Sequence, residues 1–186
     1  MEKIKNNLIE KTKSKEILYQ GKFLKLESDV VILPNNDTSE RVYINHPGAV
    51  AILVVDSENN IILEEQYRHP LKKVILEIPA GKLEGAEDVF LAAKRELSEE
   101  TGLIANELEY LGETYPCAGY SNETIHLFLV TNYEVGKQHL DEEEFINVLK
   151  VPFLKVKEMI KNGDIKDSKT IHAIYLYEML YTNKVK

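Results

Sequence analysis

Along the first third of the chain, apolar positions come in short strand-like runs. Residues 17–32 carry aliphatic, aromatic and β-branched side chains with partial alternation, clearest at Leu24, Lys25 and Leu26. Tyr19, Phe23, Val30, Val31 and Ile32 add apolar bulk, and this patterning predicts strand. Pro34-Asn35-Asn36-Asp37 predicts a turn, and residues 41–44 a short strand after it. These strands hold too few apolar residues to form a core alone, so they are expected to pack on the main domain or on a second subunit. Residues 48–55 are different: the run is continuously apolar, as in a central strand covered on both faces. A turn at Ser57-Glu58-Asn59-Asn60 leads to a strand over 61–66, and 74–78 predict a third short strand.

From there the period changes. Residues 87–101 predict a helix whose apolar stripe is Val89, Phe90, Ala93 and Leu97, with Gly102 as the residue that ends it. Residues 124–131 predict another strand. Residues 132–144 are polar and aperiodic, the pattern of a mobile loop. Two helices close the chain: 153–162, stopped at Gly163, and 168–181, with Ser168 as N-cap. Tyr175, Leu176 and Met179 read as the core stripe of the last helix. Strands interleaved with helices give an α/β (α+β) class with a mixed sheet.

Composition narrows the function classes. The chain has 186 residues, 44% hydrophobic and 29% charged, an ordinary globular balance with no repeat or low-complexity tract. Lys and Arg number 23 against 31 Asp and Glu, a net charge of −8, which argues against nucleic acid as a partner. No run reaches the ~18 apolar residues of a membrane span, so no membrane partner is expected. The polar opening Met1-Glu2-Lys3-Ile4-Lys5-Asn6-Asn7 has no apolar leader, and the single cysteine, Cys117, fits a reducing compartment, so the expected location is cytoplasmic. Cys117 has no histidine signature beside it. The histidines His46, His69, His126, His139 and His172 lack zinc-like spacing.

The chemistry is concentrated on the helix of residues 87–101. Glu96, Glu99 and Glu100 share one face, three and four positions apart, and like charges at that spacing repel. Such a cluster either lies in water or surrounds a divalent cation, for which hard carboxylate oxygens suit Mg²⁺ or Mn²⁺. Glu87 is half a turn out of phase with Glu96, a place from which it would hold the loop or the helix N-terminus.

The wider spacing carries a resemblance. Gly81, five residues, Glu87, seven residues, Arg95-Glu96-Leu97, Ser98, Glu99-Glu100, Thr101, Gly102-Leu103 match the Nudix box at all nine constrained positions over 23 residues. The chain resembles the Nudix hydrolases from about residue 48 onward. That resemblance implies a Nudix fold, a mixed β-sheet sandwiched between helices, here with an N-terminal antiparallel strand extension. It gives two regions, 1–45 as a dimerising strand region and 46–186 as the hydrolase domain. It also implies hydrolysis of a small-molecule nucleoside diphosphate derivative with Mg²⁺ or Mn²⁺ as cofactor. By position, Glu96, Glu100 and the carbonyl of Ala80 resemble metal ligands, with Glu99 a further ligand or a group behind them. Arg95 resembles a residue that orients these carboxylates.

Flanking segments narrow the subgroup. Leu76-Glu77-Ile78-Pro79-Ala80-Gly81-Lys82-Leu83, His46-Pro47-Gly48-Ala49-Val50 and Glu65-Gln66-Tyr67-Arg68 resemble the ADP-ribose pyrophosphatases, and nucleotide-sugar hydrolases share these features. This implies cleavage of ADP-ribose to AMP and ribose 5-phosphate, with a GDP-mannose-like hydrolase as the alternative and a non-catalytic sensing module as a third. It also implies a homodimer. Arg68 resembles an arginine that contacts phosphate or the terminal ribose and Arg41 one near the base; either could instead be a surface ion pair. Tyr19, Phe23 and Tyr120 are candidates for stacking on the base, or for core. The general base of the subgroup lies on a late loop, where Glu142 aligns best and Glu144 as a second carboxylate among Glu142-Glu143-Glu144; a solvated acidic loop is the other reading. Ala118 stands where many ADP-ribose pyrophosphatases carry proline, which bears on the substrate and leaves the chemistry intact.

Overall fold

The computed structural model describes residues 6–182; the opening residues 1–5, read above as part of a polar start, lie outside them. In chain order the strands and helices are β1 (Lys11–Gln20), β2 (Lys25–Ile32), β3 (Thr38–Asn45), β4 (Ala49–Val54), β5 (Asn60–Arg68), β6 (Lys73–Glu77), β7 (Ala80–Lys82), α1 (Val89–Thr101), β8 (Leu103–Ala105), β9 (Glu109–Thr114), β10 (Ile125–Val130), β11 (Tyr133–Val135), β12 (Ile146–Pro152), α2 (Phe153–Asn162) and α3 (Ser168–Tyr177). Among the described residues, those from 6 to 47, with Cys117–Glu123, form one unit; Gly48–Pro116 and residues 124–182 form the other.

The first unit is an antiparallel sheet in the order β1-β2-β3. The strand pattern over 17–32 is shared between β1 and β2, because the chain turns at Gly21, whose N–H donates to the Leu24 carbonyl (2.8 Å). β1 starts earlier than its apolar content suggests and is exposed along its whole length, since backbone pairing to β2 suffices to hold it. The buried polar residues of this sheet centre on Glu27, which accepts from Asn45 (2.9 Å), Lys15 (2.9 Å) and Tyr43 (2.8 Å). The Asn45 amide first, then Lys15 and Tyr43, hold its carboxyl down at about 2. A lowered folded value means that the contribution of Glu27 is complete above the ordinary carboxylate range and is lost as pH falls toward about 2. Amide exchange in β2, corrected for intrinsic rates, is therefore expected to quicken between pH 5 and pH 2.5. In Glu27→Gln it is expected to be faster at neutral pH and flat over the same range.

In the second unit the continuous apolar run becomes β4, central in the sheet β7-β4-β10-β9, parallel to β10 and antiparallel to β7. Its two faces go to two clusters. Ala49, Ala51 and Leu53 pack with Phe153 and Val156 of α2 and Ala173 and Ile174 of α3. Val50, Ile52 and Val54 pack with Ala92, Ala93 and Leu97 of α1. This is the expected sheet between helices. Leu97 is fully buried, worth about 1.5–3 kcal/mol in transfer terms. The antiparallel sheet β12-β5-β6 and the pair β11-β8 complete the unit. Among the described residues no helix is long and apolar enough to cross a membrane.

Three expectations change. Phe90 leaves the α1 stripe: it is substantially exposed and sets its ring edge-on against Phe128 at 5.0 Å, while Ala92 joins Ala93 and Leu97 in the core. The stripe of the last helix is Ala173 and Ile174, with Leu176 packed against the same cluster as expected. Tyr175 and Met179 are exposed; Tyr175 lies within α3, which ends at Tyr177, and Met179 falls in the π-helical turn that follows over Glu178–Thr182. The N-cap there is Asp167, whose carboxylate accepts the Thr170 N–H (3.0 Å), and not Ser168.

Candidate active site

α1 begins at Val89 because Asp88 caps it, accepting the N–H groups of Phe90 (2.9 Å) and Leu91 (3.2 Å). Glu87, just outside, accepts from Arg95 Nε (3.0 Å) and NH2 (2.9 Å) and from the Glu84 N–H (3.3 Å). It thus holds the loop before the helix, as its phase suggested. The helix ends at Gly102, with φ 74°. A Cβ there would stand 2.7 Å from the Gln138 nitrogen, so both conformation and space require glycine.

The three carboxylates of the helix face are not equivalent. Glu100 is buried and accepts the Ala80 N–H (2.8 Å), which joins α1 to the start of β7. Burial, then the charges of Glu64, Glu96 and Glu144, push its carboxyl up. Glu96 is mostly covered and is also pushed up by burial, against the pull of Arg95. Glu99 is the most exposed of the three. NH1 of Arg95 reaches both Glu96 (2.9 Å) and Glu99 (3.0 Å) while its other donors hold Glu87, so this guanidinium sets the orientation of the acidic face.

Glycine at position 81 has a direct reason. A Cβ there would stand 1.9 Å from Glu96 Cδ. Because the obstructed atoms are the tip of a flexible side chain, Gly81→Ala is expected to cost at most about 1 kcal/mol in stability. It should nevertheless turn Glu96 aside and lower kcat up to about 100-fold. Thermal melting and steady-state rates on one preparation check both; full activity would detach Glu96 from the chemistry.

The stretch expected as a mobile loop, 132–144, is fastened over its first part. It contains β11, paired with β8. Beyond β11, Gly136 N–H donates to the Gly102 carbonyl (2.7 Å), the Gln138 amide to the Glu100 carbonyl (2.6 Å) and His139 N–H to the Glu99 carbonyl (2.9 Å). The last carbonyls of a helix lack partners within it, and this polar segment satisfies them. The following turn carries the loop carboxylates. Gln66 of β5 donates to Glu144 Oε1 (3.4 Å), and the charge of Glu144 is felt by Glu64, Glu96 and Glu100. Glu142 is exposed on the same turn.

The arginines are engaged within their own units. Arg68 directs its fork at Glu77 (2.7 and 2.9 Å), and Lys169 of α3 bonds the same buried carboxylate. Thr170 Oγ1 accepts the Ile78 N–H (2.9 Å), so α3 is stapled to the strand end that leads into Ala80 and Gly81. Arg41 pairs with Glu10 (2.6 and 3.0 Å). Tyr19, Phe23 and Tyr120 are exposed, and Tyr120 donates to Cys117 Sγ (3.0 Å).

Whether a divalent cation suits the site can be judged from the residues present. The donors are hard carboxylate oxygens, Gly81 leaves room beside Glu96, and one nearby buried carboxylate oxygen, Glu64 Oε1, has no hydrogen-bond partner. Among the described residues no three carboxylate, histidine or cysteine side chains already stand gathered as ligands. The chemistry of the set fits a hard cation.

A family model described as NUDIX domain matches residues 45–174. The chain is 41% identical over 172 residues to the methanol dehydrogenase activator of Bacillus methanolicus, covering 91% of this chain and 93% of that one. It is 40% identical over 175 residues to the ADP-ribose pyrophosphatase of Bacillus subtilis (strain 168), covering 93% and 95%. A crystal structure of an ADP compounds hydrolase superposes with a TM-score of 0.76 at 21% identity, covering 91% and 92%, a likeness of fold.

Proposed function

The chain belongs to the NUDIX domain family and is a Nudix pyrophosphohydrolase, and from that premise we propose that it cleaves ADP-ribose to AMP and ribose 5-phosphate with Mg²⁺ or Mn²⁺. The observation that carries the chemistry is the meeting of Glu96 and Glu100 with the Ala80-Gly81 corner, through the Ala80–Glu100 hydrogen bond and the close approach of Glu96 to Gly81. The substrate rests on the segment Leu76-Glu77-Ile78-Pro79-Ala80-Gly81-Lys82-Leu83 and on kinship with an ADP-ribose pyrophosphatase.

Glu96, Glu100 and the Ala80 carbonyl would hold the cation, with Glu99 as a further oxygen. When bound, such a cation supplies Lewis-acid polarisation of the phosphoryl oxygens and offsets the charge of the pyrophosphate. Arg95 orients the acidic face. Glu144 takes the proton from the attacking water, its neighbour Glu142 being the alternative; the reach of Glu144 to Gln66 supports the former. Arg68 is the candidate for the phosphate–ribose end, where substrate would compete with Glu77. The exposed Ile17, Leu18 and Tyr19 of β1 support a homodimer, to be checked by light scattering.

The test is a panel of ADP-ribose, GDP-mannose and other nucleoside diphosphate derivatives with Mg²⁺ or Mn²⁺, product phosphate being released by a phosphatase. ADP-ribose should turn over fastest. No turnover of ADP-ribose sinks the substrate, and calorimetric binding without product would mark a sensor. The likeness to a methanol dehydrogenase activator supports a second reading, an effect on another enzyme, tested by adding the chain to methanol dehydrogenase and following alcohol oxidation.

A further inference from the structure

Glu64 is a buried carboxyl that none of these roles uses. It stands on β5 where the apolar run Ile61, Ile62, Leu63 ends, and it is 1% exposed. Among the described residues its Oε1 has no hydrogen-bond partner, a costly state for a carboxylate oxygen out of water. The two cations nearest in the network, Arg68 and Lys169, offset its charge only in part: their hydrogen bonds go to Glu77, the residue facing Glu64 across the β5–β6 pair, and burial still pushes the Glu64 carboxyl up.

Position on the strand says where Glu64 points. Alternate residues share a strand face, so Ile62, Glu64 and Gln66 line up. Ile62 packs in the cluster that contains Ala92, Ala93 and Leu97 of α1. Gln66 bonds Glu144. Glu64 therefore lies between the packed face of α1 and the loop carboxylate, on the side where Glu96 and Glu100 stand. Its charge is the strongest single charge acting on Glu100, which agrees with that placement.

We propose that Glu64 is a further cation-holding residue of this site, its unpartnered Oε1 adding a carboxylate oxygen from β5 to those of Glu96 and Glu100 around one or more hard divalent ions. The inference rests on the reading that the α1 carboxylates hold such an ion. It explains why a strand that is otherwise apolar at this depth carries a glutamate, and why no side chain has been provided to bond Oε1: the missing partner is the ion.

The experiment is a calorimetric titration of the metal-free full chain with MnCl₂, for wild type, Glu64→Gln and Glu100→Gln, with melting curves at each end. Wild type should bind. Glu64→Gln should bind about tenfold or more weakly and show a smaller metal-induced rise in Tm. Wild-type affinity in Glu64→Gln together with a loss in Glu100→Gln would overturn the role of Glu64 and leave the cation reading standing. Absence of Mn²⁺ binding to wild type would overturn that reading itself, and this inference with it. Should Glu64→Gln fail to fold, anomalous scattering from Mn²⁺-soaked wild-type crystals decides. A peak within about 2.5 Å of Glu64 Oε1 supports the role, and a peak confined to Glu96 and Glu100 ends it.

Discussion

Glu100→Gln is expected to lower kcat for ADP-ribose by about 10³-fold while the protein folds normally. Glutamine keeps the shape, and its amide oxygen can still accept the Ala80 N–H, so the strand–helix contact survives. What disappears is a full negative charge at the most deeply buried position of the acidic face. Stabilisation of a transferring phosphoryl group by a cation is worth several kcal/mol, and 10³-fold is about 4 kcal/mol. Stability should move the other way. Without metal, burial and then the charges of Glu64, Glu96 and Glu144 already disfavour the ionised form of Glu100, so a neutral isostere takes nothing from the metal-free fold, and Tm in chelator should not fall. A variant that melts lower and still turns over within tenfold of wild type would make Glu100 a structural residue.

The second large effect concerns the loop. Glu144→Gln is expected to depress kcat by about 10²–10⁴-fold, the range for loss of a positioned general base, with KM little changed. Glu142→Gln is expected to stay within about tenfold. The contrast follows from Gln66, which ties Glu144 and not its neighbour to β5. The opposite ordering would return the base to Glu142.

The parts of the fold that were legible before any coordinates are those where one physical demand acts alone. A strand covered on both faces has to be apolar throughout, and residues 48–55 announce β4 for that reason. A left-handed residue pressed against another backbone has to be glycine, and Gly102 marks the end of α1. The spacing of Glu96, Glu99 and Glu100 brought the acidic face forward in the same way. Legibility failed where two demands compete. Asp88 and Glu87 are adjacent acids before one helix, and only geometry decides that the first caps and the second pairs with Arg95. Residues 136–139 look like free loop because their task is done by backbone groups and one amide, which leave no hydrophobic trace. Arg68 has the chemistry of a phosphate ligand, and nothing local reveals that Glu77, nine residues on, occupies its fork. Glu64 resembles the first polar residue after a strand core, and its burial arises from packing contributed by segments distant in sequence.

The fastening of residues 136–139 onto the end of α1 has a consequence for chain-length change. Upstream of His139, each added or deleted residue would slide Gly136, Gln138 or His139 off its carbonyl and fray the helical turn that bears Glu99 and Glu100. Past His139 the path is free of those anchors until β12 begins. Homologues and engineered versions that lengthen this region should therefore carry their extra residues directly after His139, ahead of the Asp141–Glu144 turn that brings Glu144 to Gln66, so that a grafted segment could reshape the rim of the pocket while the metal-facing turn stays intact.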